Sequence, residues 1–380
     1  MSEQYSGYLD FNATTPVLPE VKAAMSTALD STGNPSSVHR AGREARSKVE
    51  AAREEIARLV GSSSDGIVFT SGGTEANNLV LRNAAEKGRH VFSSAIEHDS
   101  ILNVIPILYS GATLIPVGSE GVVDVDVLND LLSMHSNPAL VSIMLANNET
   151  GVIQPVKKVA EIAKSYGAIV HCDAVQGPSK IAVSIADLGV DWLTISAHKF
   201  GGPQGVGAVV VGNGSEAPTA FLLGGGQELG RRSGTENVPG IVGFGEAAKC
   251  ALSKSDEIKR VKLLRDTLEI SLRAVAYDAI IVGENSPRLP NTTCIVMPGV
   301  PAETQVMSLD LEGVRVSAGS ACSSGKVSAS HVLRAMGLPA EHIGSAIRVS
   351  LGWSSNMDDV DRFIAAWLKL RDRLSNILRI

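Results

Sequence analysis

The sequence lacks an apolar stretch long enough to cross a membrane, and it has no basic start followed by an apolar run. A membrane helix needs about 18 consecutive apolar residues, and a secretory leader needs a basic start before its apolar core. We therefore expect neither membrane insertion nor a leader. Excess positive charge is also absent, since the net charge is −6. That balance gives no general reason to bind nucleic acid.

Cysteine is scarce, with four residues that lie far apart and form no Cys-x-x-Cys pair. This spacing gives little support for a zinc site or a redox dithiol, and we predict no bound metal ion. Sparse cysteines fit a reducing cytoplasm better than a disulfide-linked exterior. Cys172 and Cys294 lie in apolar runs, where a cysteine is commonly a small buried hydrophobic residue. Cys322 lies instead in the stretch SAGSACSSG, among small polar neighbours.

Internal repeats and low-complexity segments are missing too, and the 44% hydrophobic and 19% charged fractions are typical of a globular protein. A chain of 380 residues is too long for one simple core, so we predict two domains. The large domain is placed at residues 14–252. Residues 1–13 and 253–380 are predicted to form a smaller α+β domain.

What the chain does contain is a regular alternation of short apolar runs, polar turns and helix-like stretches, from about residue 66 to residue 212. The runs are GIVFT, HVFSSA, TLIPV, LVSIML, AIVHC, WLTIS and GAVVV. Such alternation favours an α/β fold with a mostly parallel, seven-stranded sheet covered by helices. After residue 250 the pattern changes to a long amphipathic helix followed by short strands and helices.

Polar side chains follow five of these runs directly. In open α/β sheets, ligands bind at the carboxyl ends of the strands. A polar loop after one strand is ordinary, but five together predict a ligand site. The stretch TSGGTE would open a helix whose backbone N–H groups can hold a phosphate, although it is not a Walker A loop. The residues at these ends are Thr74, His98, Asn148, Asp173, Gln176, Ser196, His198 and Lys199.

Lys199 is the candidate centre of this site. A lysine at a strand end, beside a hydroxyl and an imidazole, suits an amine that forms a Schiff base with a phosphorylated aldehyde. Asp173 would keep a pyridine nitrogen protonated and strengthen the ring as an electron sink. Gln176 would reach the neighbouring ring oxygen, and His98 would stack on the ring. The combination favours pyridoxal phosphate as the cofactor.

Several motifs extend this pattern over most of the chain, from about Leu9 to the end. They are FNATTP, GNPSSVHRAG, SGGTEANN, EHDS, NNETG, HCDAVQ, SAHKFGGPQGVG, GGGQELGRRSGTEN and SAGSACSSG. Together they resemble the group I cysteine desulfurases, which are fold-type I pyridoxal-phosphate enzymes of the class-V aminotransferase family. The implied fold has a large domain with a mostly parallel seven-stranded sheet and a smaller α+β domain.

The resemblance also implies roles for single residues. Lys199 would carry the cofactor, Asp173 would pair with the pyridine nitrogen, and His98 would stack on the ring and move protons. Gln176 and Asn148 would lie near the ring hydroxyl and the substrate. Arg348 would bind the substrate carboxylate, and Asn34 would border the substrate site. Gly73, Thr74, Ser196 and His198 would hold the phosphate, and Thr235 would reach the phosphate of the other subunit in a homodimer.

The resemblance gives Cys322 a function as well. Its thiolate would attack the sulfur of bound L-cysteine and become a persulfide while L-alanine leaves. The sulfur would pass to an acceptor protein such as an iron–sulfur cluster scaffold, and Cys322 would be the residue to ligate a cluster transiently. Where relatives commonly have Glu-Pro, this loop reads GKVSASH. The acceptor therefore stays open, with tRNA thiolation and nitrogenase maturation as further uses.

Three other functions compete with this interpretation. The nearest is another class-V lyase or aminotransferase, such as a selenocysteine lyase. The second is serine acylation, because SAHK and SSGK match Ser-x-x-Lys, but its companion motifs are absent. The third is a sulfur-relay partner that kept the fold without the activity. The intact set of Lys199, Asp173, His98 and Cys322 argues against such a loss.

Overall fold

The computed structural model describes residues 3–108, 111–253, 255–319 and 329–377. Within these ranges, the larger of two sheets has seven strands in the order β1-β7-β6-β5-β4-β2-β3. All seven apolar runs predicted to be strands lie in it. Their bounds are β1 (Ile67–Thr70), β2 (His90–Ser94), β3 (Ala112–Ile115), β4 (Ala139–Met144), β5 (Ile169–Asp173), β6 (Trp192–Ser196) and β7 (Gly207–Val211).

The direction of these strands follows from the length of their connections. Strands β2 to β6 pair in parallel, whereas β7 is antiparallel to both β6 and β1. A parallel return needs a crossover of about a dozen residues or more, and only residues 197–206 join β6 to β7. The mostly parallel sheet predicted from the sequence is therefore confirmed.

Helices cover both faces of this sheet. One face packs on a large apolar core with α2, α6 and α8, and the other packs on a core built around α3. Because both faces are covered, strands β4 to β7 are almost entirely buried. The helix bounds are α1 (Pro19–Leu29), α2 (Arg40–Val60), α3 (Gly73–Glu86), α4 (Asp99–Leu102), α5 (Val125–Ser133), α6 (Val156–Ser165), α7 (Ile185–Leu188) and α8 (Val238–Ser253).

The second sheet is antiparallel, with four strands in the order β10-β11-β9-β8 among the described residues. Its strands are β8 (Ile280–Ile281), β9 (Thr292–Val296), β10 (Ser317–Ala318) and β11 (Ala346–Ser350). The helices around it are α9 (Ser255–Val275), α10 (Ala302–Leu311), α11 (His331–Ala335), α12 (Ala340–Ile343) and α13 (Met357–Ile377). This part has an apolar core of its own, with Phe363 and Trp367 fully buried.

The N-terminal segment connects the two sheets. Leu9 is buried in the second core, and Asp10 forms a bridge with Ser350 of β11. Five residues after Asp10 the segment reaches the larger sheet, where the Thr15 amide donates to the His198 carbonyl at 2.8 Å. Residues 9–15 therefore lie between the two sheets. The domain limits at 13/14 and 252/253 stay a prediction.

No helix in the described part of the chain is both long enough and apolar enough to traverse a lipid bilayer.

Candidate active site

A cavity of about 450 Å³ lies between the carboxyl ends of the large sheet's strands and the second sheet. Most of the site residues predicted from the sequence line it. They are Gly73, Thr74, His98, Asn148, Asp173, Gln176, Ser196, His198, Lys199 and Arg348. The strand ends therefore converge on one site, as the topology of a parallel sheet requires.

Three predicted residues are not in this lining. Asn34 and Thr235 are exposed in the single chain and lie outside the cavity. The Asn34 side chain accepts a hydrogen bond from the Ser36 amide at 2.9 Å. Cys322 lies outside the described residues. The roles of all three stay predictions.

Lys199 lies in the short turn Ala197–Lys199, which follows β6 directly. Its Nζ donates to the backbone carbonyls of Asn12, at 2.7 Å, and Ala13, at 3.0 Å. The return into β7 is tight, because a Cβ on Gly207 would come within 2.7 Å of the Gly72 backbone. The amine is thus held at the cavity by carbonyls of the N-terminal segment.

Asp173 ends β5 and is 6% exposed. Its Oδ2 accepts a hydrogen bond from Asn77 Nδ2 at 2.8 Å, and its Oδ1 accepts from the Val175 amide at 3.0 Å. The same Asn77 nitrogen donates to Ser100 Oγ at 2.9 Å. Two donors therefore orient the carboxylate before any ligand binds.

His98 is connected to Asp173 through this network. Its Nδ1 lies 2.9 Å from Ser100 Oγ and accepts from the Ser100 amide at 3.1 Å. A ring nitrogen that accepts from a backbone N–H carries no proton, so the proton of the neutral ring lies on Nε2. Burial lowers the pKa of His98, Lys199 lowers it further, and Asp173 opposes the shift. The ring is therefore neutral near pH 7.

The N-terminus of α3 forms one side of the cavity. A Cβ on Gly73 would approach Val175 Cγ2 to 2.9 Å and Ser196 Cβ to 3.6 Å. Glycine therefore lets the helix start close to the ends of β5 and β6. The unpaired N–H groups and the dipole of such a 14-residue helix favour an anion. Thr74 and Ser196 add hydroxyl groups beside it.

His198 lies next to this helix start. Burial lowers its pKa to about 4, with Lys199 and Lys180 adding to the shift. Its Nδ1 lies 3.2 Å from Thr14 Oγ1. The imidazole is therefore neutral near pH 7 and offers a hydrogen bond rather than a charge.

Arg348 comes from the middle of β11 and is 3% exposed. Its Nη2 pairs with Asp10 Oδ1 at 2.7 Å, and its Nη1 donates to the Asn148 carbonyl at 3.0 Å. Its buried Nε finds no partner among the described residues. Ser317 holds the other oxygen of Asp10 at 2.7 Å. The guanidinium is thus fixed at the cavity with two of its five N–H groups bonded among the described residues.

Gly319 and Ser330, which flank residues 320–328, both lie beside Glu149, the residue that directly follows Asn148 in the sequence. Glu149 Oε2 accepts from Ser330 Oγ at 2.7 Å, and a Cβ on Gly319 would approach the same oxygen to 2.6 Å. Burial raises the pKa of Glu149 to about 7. The described residues on either side of the segment that carries Cys322 therefore lie close to the cavity wall.

Sequence reasoning missed several residues that shape this site: Asp10, Asn12, Asn77, Ser100, Glu149 and Lys180. Each acts through another side chain or a backbone group. Four of them lie inside motifs quoted above, which was the only sequence signal for them: Asn12, Asn77, Ser100 and Glu149. Asp10 and Asn12 come from the N-terminal segment, whose position depends on the tertiary fold.

These residues fit pyridoxal phosphate. A pyridine nitrogen needs an oriented carboxylate, and Asp173 is one. A phosphate needs a helix start that it can approach closely, which the start of α3 at Gly73 offers. An aldehyde needs an amine, which Lys199 supplies. The unpartnered Arg348 Nε adds a donor for a substrate carboxylate.

Comparison with known proteins defines the class. The aminotransferase class-V family model matches residues 7–363, and the chain therefore belongs to the class-V aminotransferase family. Cysteine desulfurase IscS of Dictyoglomus turgidum is 42% identical over 379 residues, covering 97% of this chain and 95% of that protein. A cysteine desulfurase of Nostoc sp. is 43% identical over 375 residues, covering 97% and 93%. Such relatives place the chain among the cysteine desulfurases, as its motifs predicted.

Solved structures agree with this placement. A NifS-like protein from Rickettsia africae has a TM-score of 0.90 and 39% identity, covering 97% of this chain and 99% of that chain. SspA in complex with cysteine has a TM-score of 0.79 and 29% identity, covering 91% and 99%. The predicted fold-type I architecture is confirmed, and the family implies pyridoxal phosphate as the cofactor.

Proposed function

We propose that the protein converts L-cysteine to L-alanine and carries the released sulfur as a persulfide on Cys322 to an acceptor protein. Membership of the cysteine desulfurases supports the reaction. The observation in the structure that carries it is the meeting of Lys199, Asp173, His98 and Arg348 at one cavity. Those four groups can bind a cofactor, hold an amino acid by its carboxylate and move a proton.

The cofactor would be held at both of its ends. Asp173, oriented by Asn77 and the Val175 amide, would face the ring nitrogen. Gln176 and Asn148 would lie near the ring oxygen. When bound, pyridoxal phosphate supplies an electron sink for the charge that develops on the substrate carbon. The phosphate would lie at the start of α3, next to Gly73, Thr74, Ser196 and His198.

Proton movement would fall to Lys199 and His98. The Lys199 amine lies at the cavity, where it would take the Cα proton of the substrate. The neutral His98 ring holds its own proton on Nε2, since Nδ1 accepts from the Ser100 amide. It would therefore donate from Nε2. Arg348, fixed by Asp10, would hold the substrate carboxylate throughout.

Sulfur transfer would take place at Cys322. Its thiolate would form an S–S bond to the substrate sulfur while the C–S bond of cysteine breaks. The carbon would keep the electron pair and take a proton, so that cysteine and a thiol become alanine and a persulfide. The described residues beside this segment support the proposal, because Ser317 lines the cavity and Ser330 bonds to Glu149.

The protein would act as a homodimer, with Thr235 completing the phosphate site of the partner. Exposed apolar side chains near Thr235 support a covered surface, including Leu223 at 86% and Leu229 at 75% exposure. Glu228 and Leu229 both have positive φ angles. The buried pair of Glu228 and Arg53 holds that strained turn in place.

The acceptor of the sulfur would be an iron–sulfur cluster scaffold. Cys322 would be the residue that could briefly ligate a cluster, and the protein would be located in the cytoplasm.

An assay of alanine and persulfide tests this function. The wild-type protein with pyridoxal phosphate should release alanine from L-cysteine and carry one labelled persulfide per chain. Cys322→Ser should still bind the cofactor and change its absorbance when cysteine is added, because Lys199 and Arg348 are intact. It should form neither persulfide nor sustained alanine, because a serine hydroxyl is far less acidic than a thiol. Normal turnover by Cys322→Ser would contradict the proposal.

A further inference from the structure

Lys180 is a buried lysine that the proposed chemistry does not use. It is 7% exposed, and its Nζ donates to the side-chain oxygens of Gln176 and, at 3.1 Å, of Asn12. A buried amine is costly unless such acceptors surround it. The lysine therefore depends on the oxygens of two amide side chains as its acceptors.

The Gln176 amide has only one orientation that satisfies its neighbours. Its Nε2 donates to the Asn12 backbone carbonyl at 3.0 Å, while its Oε1 accepts from Lys180. A carbonyl only accepts and this amine donates, so turning the amide over would break both bonds. In the observed orientation, the second N–H of Nε2 has no partner within the described residues. Because Gln176 lines the cavity, the group it offers there is a donor.

Asn12 is held more firmly than Gln176. Its Oδ1 accepts from Asn291 at 3.1 Å as well as from Lys180, and its Nδ2 donates to Thr292 Oγ1 at 2.9 Å. Removing Lys180 would leave Asn12 with these other partners. Gln176 Oε1, in contrast, would lose its donor, so the loss would act mainly on Gln176.

We propose that Lys180 is a positioning residue that keeps the Gln176 N–H directed at the cavity, where it binds the anionic ring oxygen of pyridoxal phosphate. The inference rests on the cofactor proposed above. An anionic oxygen needs a donor. A Gln176 amide in the opposite orientation would place its own oxygen there and repel the ligand.

The electrostatics of Lys180 agree with this role. Burial lowers its pKa well below the usual lysine value, and the positive charges of Lys199 and Arg348 lower it further. Its charged form is therefore disfavoured at this position, and the two amide oxygens that Lys180 contacts supply the acceptors that its N–H groups need.

The test compares two ligands in the full chain, stripped of cofactor and reloaded. One is pyridoxal phosphate, and the other is its analogue without the ring hydroxyl. Lys180→Met keeps the length and the apolar volume of the side chain but has no donor. It should bind pyridoxal phosphate about tenfold more weakly than wild type, a loss typical of a hydrogen bond to a charged group. Its affinity for the analogue should be unchanged.

Further variants distinguish the positioning of Gln176 by Lys180 from a general contribution of Lys180 to folding. Lys180→Gln keeps an N–H donor and should retain more of the preference for pyridoxal phosphate than Lys180→Met. Gln176→Leu should lose that preference, and adding Lys180→Met to it should cause no further loss, because both act on one contact. Thermal unfolding of the cofactor-free variants identifies any that do not fold.

The possible outcomes are distinct. Equal weakening of both ligands by Lys180→Met, or no weakening of either, would overturn the positioning role. Additive losses in the double variant would overturn it too. If wild-type protein bound neither ligand, the proposed cofactor itself would fail, which is a different result from a failure of the Lys180 inference.

Discussion

The two sheets supply the site in different ways. The larger, parallel sheet contributes side chains from the ends of buried strands, such as Asp173 at the end of β5 and Ser196 at the end of β6. The smaller, antiparallel sheet contributes Arg348 from the middle of β11. Strand ends can bind a ligand with backbone N–H groups and short side chains. A residue in the middle of a strand needs a long side chain to reach the cavity, and other residues must fix the position of that side chain.

This difference between the two sheets suggests that they have different functions in the site. The large sheet holds the groups that would bind the cofactor and move protons, and the small sheet holds the group that would bind the substrate carboxylate. Asp10 connects the two parts, because it pairs with Arg348 and belongs to the segment whose carbonyls hold Lys199. Substitutions in the two sheets should therefore change different kinetic constants.

The largest effect is expected from Lys199→Ala. The variant should lose the covalent attachment of pyridoxal phosphate and the base that takes the Cα proton, a loss of roughly 10²–10⁴-fold or more in kcat. Alanine release and the cofactor absorbance measure both. Lys158→Ala, at an exposed position on α6, is the matched control and should behave as wild type. More than a few per cent of activity in Lys199→Ala would show that this lysine is not the centre of the site.

A smaller effect of a different kind is expected from Arg348→Lys in the second sheet. Lysine lacks the planar fork that binds a carboxylate with two parallel hydrogen bonds. The KM for L-cysteine should rise about tenfold to a hundredfold, while kcat changes much less. Steady-state kinetics separate the two constants. Arg315→Lys, at an exposed arginine just before β10, should change neither constant. A loss confined to kcat would break the proposed division between the sheets.

A pH effect on stability is expected from Glu97, which is fully buried between β2 and β4. Burial raises its pKa from 4.5 to about 8, against the hydrogen bonds from Ser94 and the Met144 amide. Between those values the folded protein keeps a proton that the unfolded chain has lost. The free energy of unfolding should therefore fall as the pH rises through this window.

Glu97→Gln isolates that effect, since an amide resembles the protonated carboxyl and does not titrate. Urea unfolding at about pH 5 and about pH 8 measures how much stability each protein loses between these two pH values. The loss should be smaller in the variant than in wild type by at least about 1.4 kcal/mol, which corresponds to one pKa unit. Glu161→Gln on the exposed face of α6 is the control. If the free energy of unfolding changed equally with pH in wild type and in Glu97→Gln, Glu97 would be ionised in the folded protein.

The smallest effects are expected from the buried cysteines, one in each sheet. Cys172 in β5 and Cys294 in β9 are both fully buried. Burial raises the pKa of Cys172 well above its usual value and that of Cys294 to about 12. Each alanine variant should lose about 1 kcal/mol of stability and keep full persulfide formation. Loss of persulfide in either one would move the sulfur carrier away from Cys322.

The sequence allowed the large sheet and its strand-end residues to be predicted, because a parallel strand and its polar end are adjacent in the chain. Asp173 and Lys199 could be found in this way. Arg348 came only from the resemblance to a family, since nothing in a central antiparallel strand distinguishes a ligand-binding arginine from a structural one. The antiparallel direction of β7 followed from a short connection and was not predicted.

Residues that act through others could not be predicted. Asn77 contacts Asp173 across 96 positions of sequence, and Lys180 contacts Asn12 across 168. Such contacts depend on how helices and segments pack, which no local pattern encodes. Lys180 in particular lies in a turn, where a lysine would ordinarily be exposed to solvent.

The position of the N-terminal segment has a consequence for synthesis of the protein. Asp10 pairs with Arg348 across 338 positions, and the Asn12 carbonyl holds Lys199 across 187. A growing chain would therefore have a finished large sheet long before the ribosome reached the strand that carries Arg348. Until then Asp10 would have no arginine to pair with, and the site would lack its carboxylate-binding group. Nascent and truncated chains would thus be unable to release sulfur before the protein is complete.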